Sequence, residues 1–304
     1  MRALAELATG QTDAAFEDVN ASLRLAGSFK DEPLLISFLV RVAMVDMAIQ
    51  PVWEGLAAHR WNESELVALQ TAFESINQVR GFAQALEGER IGAYRALREL
   101  IDRPAEGARV IGAVSEESSA YGGFRMLPSG WLYQNQFAVD RFYTEKLLPA
   151  MDVERRRVDV RRLMQADQLL ESTPATPRNL LCKLLLPAVM RTAQKAALSQ
   201  TGVDQVVIAC ALKRYRLAHG QMPEKLDALV PPYIAKLPHD VIDGQPLRYR
   251  RVSDNEFVLY SIGWNERDDG GQIVWATGPT PRQDLDKGDW VWFSQPQPFG
   301  NERK

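Results

Sequence analysis

One helical pattern, running from Leu180 to His219, constrains this chain more than any other feature. A helix of that length spans roughly 60 Å and needs cover along its whole length. Within it Ala193, Ala196, Ala197, Val203, Val206, Val207, Cys210, Ala211, Leu212 and Leu217 recur at spacings of three and four, which puts an apolar stripe on one face. The stop is plainly written. Lys213, Arg214, Arg216 and His219 crowd the last turns, where cations complement the carbonyl-rich end. Gly220 supplies a left-handed residue past the cap, and Pro223 forbids resumption.

The chain then changes period. Pro223 and the Pro231-Pro232 pair bound one short helix, Glu224 to Leu229. Asp243-Gly244 is a turn signal. Leu247–Val252 and Glu256–Ser261 alternate or are rich in strand formers, and they read as an antiparallel pair joined through Ser253-Asp254-Asn255. Gln272–Ala276 and Trp290–Phe293 are third and fourth strand candidates. Between the second and third lies an acidic, glycine-rich loop, Gly263 to Gly271.

These residues, taken in order, resemble the C-terminal part of the major pseudopilin of type II secretion (protein G). The shared motifs are a helix closed by His219-Gly220, a proline, Leu226-Asp-Ala-Leu-Val-Pro, then Leu237-Pro-x-Asp. Gly244-x-Pro-x-x-Tyr follows, then Tyr260-Ser-x-Gly with acidic residues after it. Leu186-Pro187-Ala-Val resembles the point where the pilin helix carries its proline. The resemblance covers about a third of the chain. It implies a long helix bearing a small antiparallel sheet, and a calcium ion in the acidic loop. The ligands it implies are the Leu259 carbonyl, Ser261, Asn265, Asp268, Asp269 and, after an insertion, Asp286 or Asp289. Calcium takes six to eight oxygens in a flexible cage, which carboxylates, amides, hydroxyls and loop carbonyls supply. Gly270-Gly271 suits a backbone folded tightly round an ion. A solvated acidic turn is the competing reading of the same loop. The Trp264-Asn-Glu-Arg insert and the long Pro279–Asp284 stretch depart from the family pattern. So does the approach to the helix. Only Leu180-Leu-Cys-Lys-Leu-Leu-Leu precedes it, interrupted by Lys183, whereas a span needs about twenty apolar residues. Assembly into a pseudopilus in the family's way is therefore not expected.

At 304 residues, one large or two modest domains are expected, and the division suggested is 1–179, helical, and 180–304, pseudopilin-like. The fold class is α+β: a mostly helical N-terminal part, then a long helix and a small antiparallel sheet. A hydrophobic fraction of 46% and a charged fraction of 25% are those of an ordinary globular protein. A net charge of −3 gives no reason to expect nucleic acid or an anionic membrane as partner. The Arg155-Arg156-Arg157 and Arg161-Arg162 clusters, interleaved with Glu154 and Asp159, read as a solvated, ion-paired helical face. Cys182 and Cys210 both fall on the long helix, about 42 Å apart, so they read as buried thiols and not a disulfide. No secretory signal opens the chain. The most hydrophobic window, Leu34 to Ile49, carries Arg41 and Asp46 and reads as a buried helix too short to span. Compartment stays open, although a calcium site suits the periplasm or exterior.

Helices are expected at Ala3–Ala8, Asp13–Ala26, Pro33–His59, Glu63–Leu86 and Glu89–Leu100, with Asn62 and Glu65 forming a capping box. The first two resemble one tetratricopeptide unit, but no second copy follows at the right period. Residues 103–133 read as a long loop rich in glycine, with Tyr121, Phe124, Trp131 and Tyr133 set in it. Helix resumes at Asn135–Ala150 and Asp152–Leu170, with a joint at Glu171–Pro177.

Catalytic signals are sparse. His59, His219 and His239 form no zinc-like pattern, and each reads as structural. There is no nucleophile elbow, phosphate-cradling loop or dinucleotide fingerprint. Two function classes follow. One is a calcium-stabilised binding or assembly module that presents a surface to a protein partner. The other is a calcium-dependent hydrolase of a small ester or lactone, with Glu266, Asp268 or Asp269 taking the proton of an ion-bound water.

Overall fold

The computed structural model describes residues 2–103, 128–277 and 282–294. The protein is mostly helical with small antiparallel sheets, an α+β fold. Five helices come first: α1 (Arg2–Ala8), α2 (Thr12–Ser28), α3 (Leu35–Ala57), α4 (Glu63–Glu74) and α5 (Gln78–Asp102). The capping box at Asn62 is present in full: its side chain accepts from Glu65 N, and the Glu65 carboxylate accepts from Asn62 N.

Where one helix was expected through Leu86, the chain breaks at Ser75 to Asn77, and α5 runs straight through Gly88. Two local causes decide this. The Asn77 side chain accepts from Arg80 N at 2.9 Å and so starts a new helix. Gly88 is needed for close approach and not for a turn: a Cβ there would stand 1.6 Å from the Pro33 carbonyl oxygen. Helix α3 also runs further than its sequence window, through Pro51 to Ala57, and is long and apolar enough to cross a membrane by length and composition. The estimate that it is too short is thus corrected. In this fold its Phe38, Val42, Val45, Ala48 and Val52 are buried, and it packs against α2, α5 and the long helix.

After residue 128 comes α6 (Ser129–Phe142), which winds down through a π turn (Tyr143–Leu147) and a 3₁₀ turn (Leu148–Ala150). Trp131 and Tyr133 therefore sit on a helix and not in the loop expected there, whereas Tyr121 and Phe124 lie outside the described residues. The helix expected from Asp152 begins later. A two-residue hairpin, β1 (Met151–Asp152) with β2 (Arg157–Val158), precedes α7 (Val160–Ser172), whose N-terminus is capped by Asp159. Arg155, Arg156 and Arg157 sit in that hairpin while Arg161 and Arg162 open α7, so the two clusters are not one solvated helical face. Arg155 and Arg162 do pair locally, with Asp152 and Asp159. Arg156, at φ 48°, turns inward to Asp204, and Arg157 reaches the Ile242 carbonyl.

The long helix, α8 (Leu180–His219), is continuous through Pro187 and ends at Gly220 with φ 79°. Its pattern is more than a stripe. Every residue from Val203 to Lys213 is buried, while Leu217, expected on the apolar face, is exposed. A helix apolar all round belongs in a core. Two hydrophobic clusters share its length. One gathers α5, α6, α7 and the first half of α8 with Val241, Ile242, Ile262 and Trp290. The other gathers α1 to α4 and the second half of α8 with Leu247, Phe257, Leu259 and Trp292. Both draw on residues from either side of position 180.

The short helix after Pro223 is a 3₁₀ turn, Leu226–Leu229. The sheet follows: β3 (Arg248–Arg251), β4 (Phe257–Ser261) and β7 (Trp290–Phe293), antiparallel in the order β3-β4-β7. Leu259 faces Tyr249 on one side and Trp292 on the other. Strand β4 is buried along its whole length, as a centre strand clamped on α8 must be. A separate hairpin, β5 (Ile273–Trp275) with β6 (Gln283–Gly288), projects between β4 and β7. Strand β6 begins within the Pro279–Asp284 stretch that departs from the family pattern.

Candidate functional site

The acidic loop joins β4 to β5, and Asp289 returns to it from the short link between β6 and β7. Three glycines set its path at positive φ: Gly263, Gly270 and Gly271. Gly263 is irreplaceable by geometry, since a Cβ there would stand 2.5 Å from the Gly288 carbonyl oxygen. Trp264 stacks on Trp290 at 6.4 Å between ring centroids and pins the insert to the core.

Asp289 is fully buried, and its carboxylate is the hub of the loop. It accepts from Gly271 N at 2.6 Å, Asp269 N at 3.3 Å and Gln272 N at 3.3 Å. Burial raises its pKa above the ordinary carboxylate value, and the three amides oppose that shift. Asn265 donates to Asp269 at 2.8 Å, and Tyr260 donates to Asp268 at 3.0 Å. Asp268 also lies 3.8 Å from Arg248.

The remaining candidates are elsewhere. Ser261 turns its hydroxyl into Asp240 at 2.8 Å. Leu259 is in the centre strand, paired on both sides. Asp286 stands at the outer hairpin and accepts from the Gln194 side chain at 2.8 Å. The loop thus brings together Asn265, Asp268, Asp269 and Asp289, and leaves Leu259, Ser261 and Asp286 outside that group. In this arrangement the central carboxylate accepts from three backbone amides and the serine hydroxyl turns to Asp240. Among the described residues no three His, Cys, Asp or Glu side chains converge as a metal-holding group.

Two further buried acids with raised pKa lie outside the site reading. Asp240, inside the Leu237-Pro-x-Asp motif, is buried and accepts from Ser261, Ile262 N and Ile242 N. Burial raises its pKa. Asp204, in the middle of α8, is pushed up to about 7 by burial, against the pull of Arg156 at 3.5 Å and the Gln200 amide at 3.2 Å. Its sequence signal was an acid within an apolar helical run. These two acids tie α8, the β1–β2 hairpin and the Asp240 turn into one polar joint. Val158 N donates to the Val241 carbonyl at 2.9 Å beside it.

Of the histidines, His219 stacks on Tyr215 at 4.0 Å and contacts the Tyr215 carbonyl, a helix-end role. His239 contacts the Arg155 carbonyl. Cys182 and Cys210 are free and buried. Set against protein-family models, curated proteins and solved structures, the chain matches none.

Proposed function

We propose that this chain is a non-catalytic binding or assembly module of pseudopilin-like build, and that its acidic loop is a stiffening element and not a reaction centre. The use made of Asp289 carries this reading. Its two oxygens accept three backbone amides on the far side of the loop, three of the roughly four lone-pair positions a carboxylate offers, which makes it a tie that holds the loop. A buried carboxylate so engaged closes the loop from within the protein. In the pseudopilins that the sequence resembles, a calcium ion does this work. A cation bound here through Asp289 or Asp269 would share carboxylates that already accept from the loop amides and from Asn265.

Thermal unfolding in calcium at roughly 1 mM, the weak end of extracellular calcium modules, and again in excess chelator, tests the proposal. A panel of small esters and lactones is assayed in parallel. The module reading expects no turnover under either condition. A melting temperature that falls on chelation assigns loop closure to a bound cation, because a ligand of the folded state stabilises it by mass action. Chelator-sensitive turnover refutes the non-catalytic reading.

A further inference from the structure

The last buried turn of α8 carries a lysine with no acid. Lys213 is 4% exposed, yet no carboxylate among the described residues lies within ion-pair distance of its Nζ. Its side-chain partner is His59, just past the end of α3, whose Nδ1 it meets in a short contact. His59 is held at φ 57°, a left-handed conformation that is rare outside glycine. Arg216, one turn on from Lys213, reaches the other ring nitrogen, Nε2, at 3.5 Å and is itself held by the Asn255 carbonyl oxygen at 2.6 Å. Three basic groups therefore stand in a row, Lys213, His59 and Arg216, with nothing anionic between them.

His59 Nδ1 faces both Lys213 and, at 3.2 Å, the Leu56 carbonyl oxygen, so the lysine meets an imidazole where other buried lysines meet a carboxylate. Desolvation and the neighbouring Arg216 charge favour the neutral amine and push the Lys213 pKa down to about 8. An amine desolvated beside another cation is the arrangement that makes lysine a nucleophile near neutral pH.

The space beside it limits what can react. A cavity of about 20 Å³ is lined by His59, Lys213, Trp53, Met222, Phe257 and Trp292. That exceeds the roughly 10–15 Å³ one water needs and falls far below the roughly 300 Å³ at which pockets for drug-sized ligands begin. The electrophile has to be very small, and the aromatic walls favour one without charge. Exposed His59 forms the mouth.

We propose that Lys213 is a carbamylation site for carbon dioxide. The amine lone pair forms the N–C bond, one C=O π pair moves onto oxygen, and the released proton passes to water at the exposed His59 edge. The product is a carbamate anion on the Nδ1 side of His59, with Arg216 at the opposite edge of the ring. It supplies the negative charge that this row lacks.

The test uses the intact wild-type chain in carbon-13-labelled bicarbonate at about pH 7.5. A carbamate carbon signal is sought by NMR, and the adduct is trapped with a trialkyloxonium reagent and located by peptide mass spectrometry. Exposed Lys225 and Lys236 are internal controls. Trapping at Lys213 is expected to exceed theirs by roughly 100-fold, the ratio of neutral amine at that pH between a lysine near 8 and an ordinary one. Lys213→Met abolishes the signal. Arg216→Gln weakens it while leaving the fold intact, because it removes only the cation beside the product. Equal labelling of Lys213 and Lys225 in the wild type, or a signal that survives in Lys213→Met, overturns the proposal. Neither outcome depends on the calcium experiment.

Discussion

Replacing Asp289 by alanine tests the loop argument most directly. The change removes the acceptor of three backbone N–H groups, at 2.6, 3.3 and 3.3 Å. A buried donor left without a partner costs about 1–3 kcal/mol. The three are not equal. Gln272 is exposed, and Asp269 and Gly271 are half-buried, so water can recover part of the loss. Gly271, with the short bond, bears most of what remains. The expected destabilisation is about 2–3 kcal/mol, or roughly 3–5 °C in melting temperature for a chain of 304 residues. Asp289→Asn keeps one acceptor oxygen, which can serve Gly271 and Gln272 while its amide faces Asp269 N. About half the loss is expected. Thermal unfolding followed by circular dichroism gives the magnitude, and hydrogen exchange at the amides of residues 269, 271 and 272 gives the location. Protection at those three amides should fall while the β4 amides stay slow. If the alanine variant unfolds within about 0.5 kcal/mol of wild type with these amides still protected, the carboxylate does not close the loop and the module proposal loses its support.

Other outcomes follow from the same geometry. Asp204 binds a proton in the folded chain up to about pH 7 that the unfolded chain releases near 4, so its contribution to stability is present at acid pH and is lost as pH rises through that window. Asp204→Asn should flatten the pH dependence of the melting temperature between about 4 and 7, seen by scanning calorimetry across pH. Gly263→Ala places a Cβ 2.5 Å from the Gly288 carbonyl oxygen at φ 68°, and should cost about 2–4 kcal/mol in chemical denaturation, shifting the midpoint with little change in slope. Asn77→Ala removes the cap that starts α5 and should cost about 1 kcal/mol, with raised exchange confined to the first turn of that helix.

The sequence by itself determined the elements whose signals are local. The extent of α8, its stop at Gly220, the capping box at Asn62 and the strand spans at Phe257–Ser261 and Trp290–Phe293 are written in periodicity, caps and β-formers. The acidic loop was legible as a loop, and three of its polar residues, Asn265, Asp268 and Asp269, gather there with Asp289. What local pattern could not carry was which partner each polar side chain takes. Lys213 follows the rule for cations near a helix end, yet it is buried against His59, because the β-sheet and α3 close over that turn. Gly88 looks like a break and is a contact with Pro33. Arg156 looks like a surface charge and answers a buried Asp204 from a hairpin that the helical spacing of its neighbours concealed. Asp289 bears the charge expected of a cation ligand and spends it on amides eighteen and twenty residues back in the chain. Hydrogen-bond partnership is set by long-range approach of backbone and side chain, a property of the tertiary arrangement. Helix and strand formation answer mainly to neighbours a few residues away.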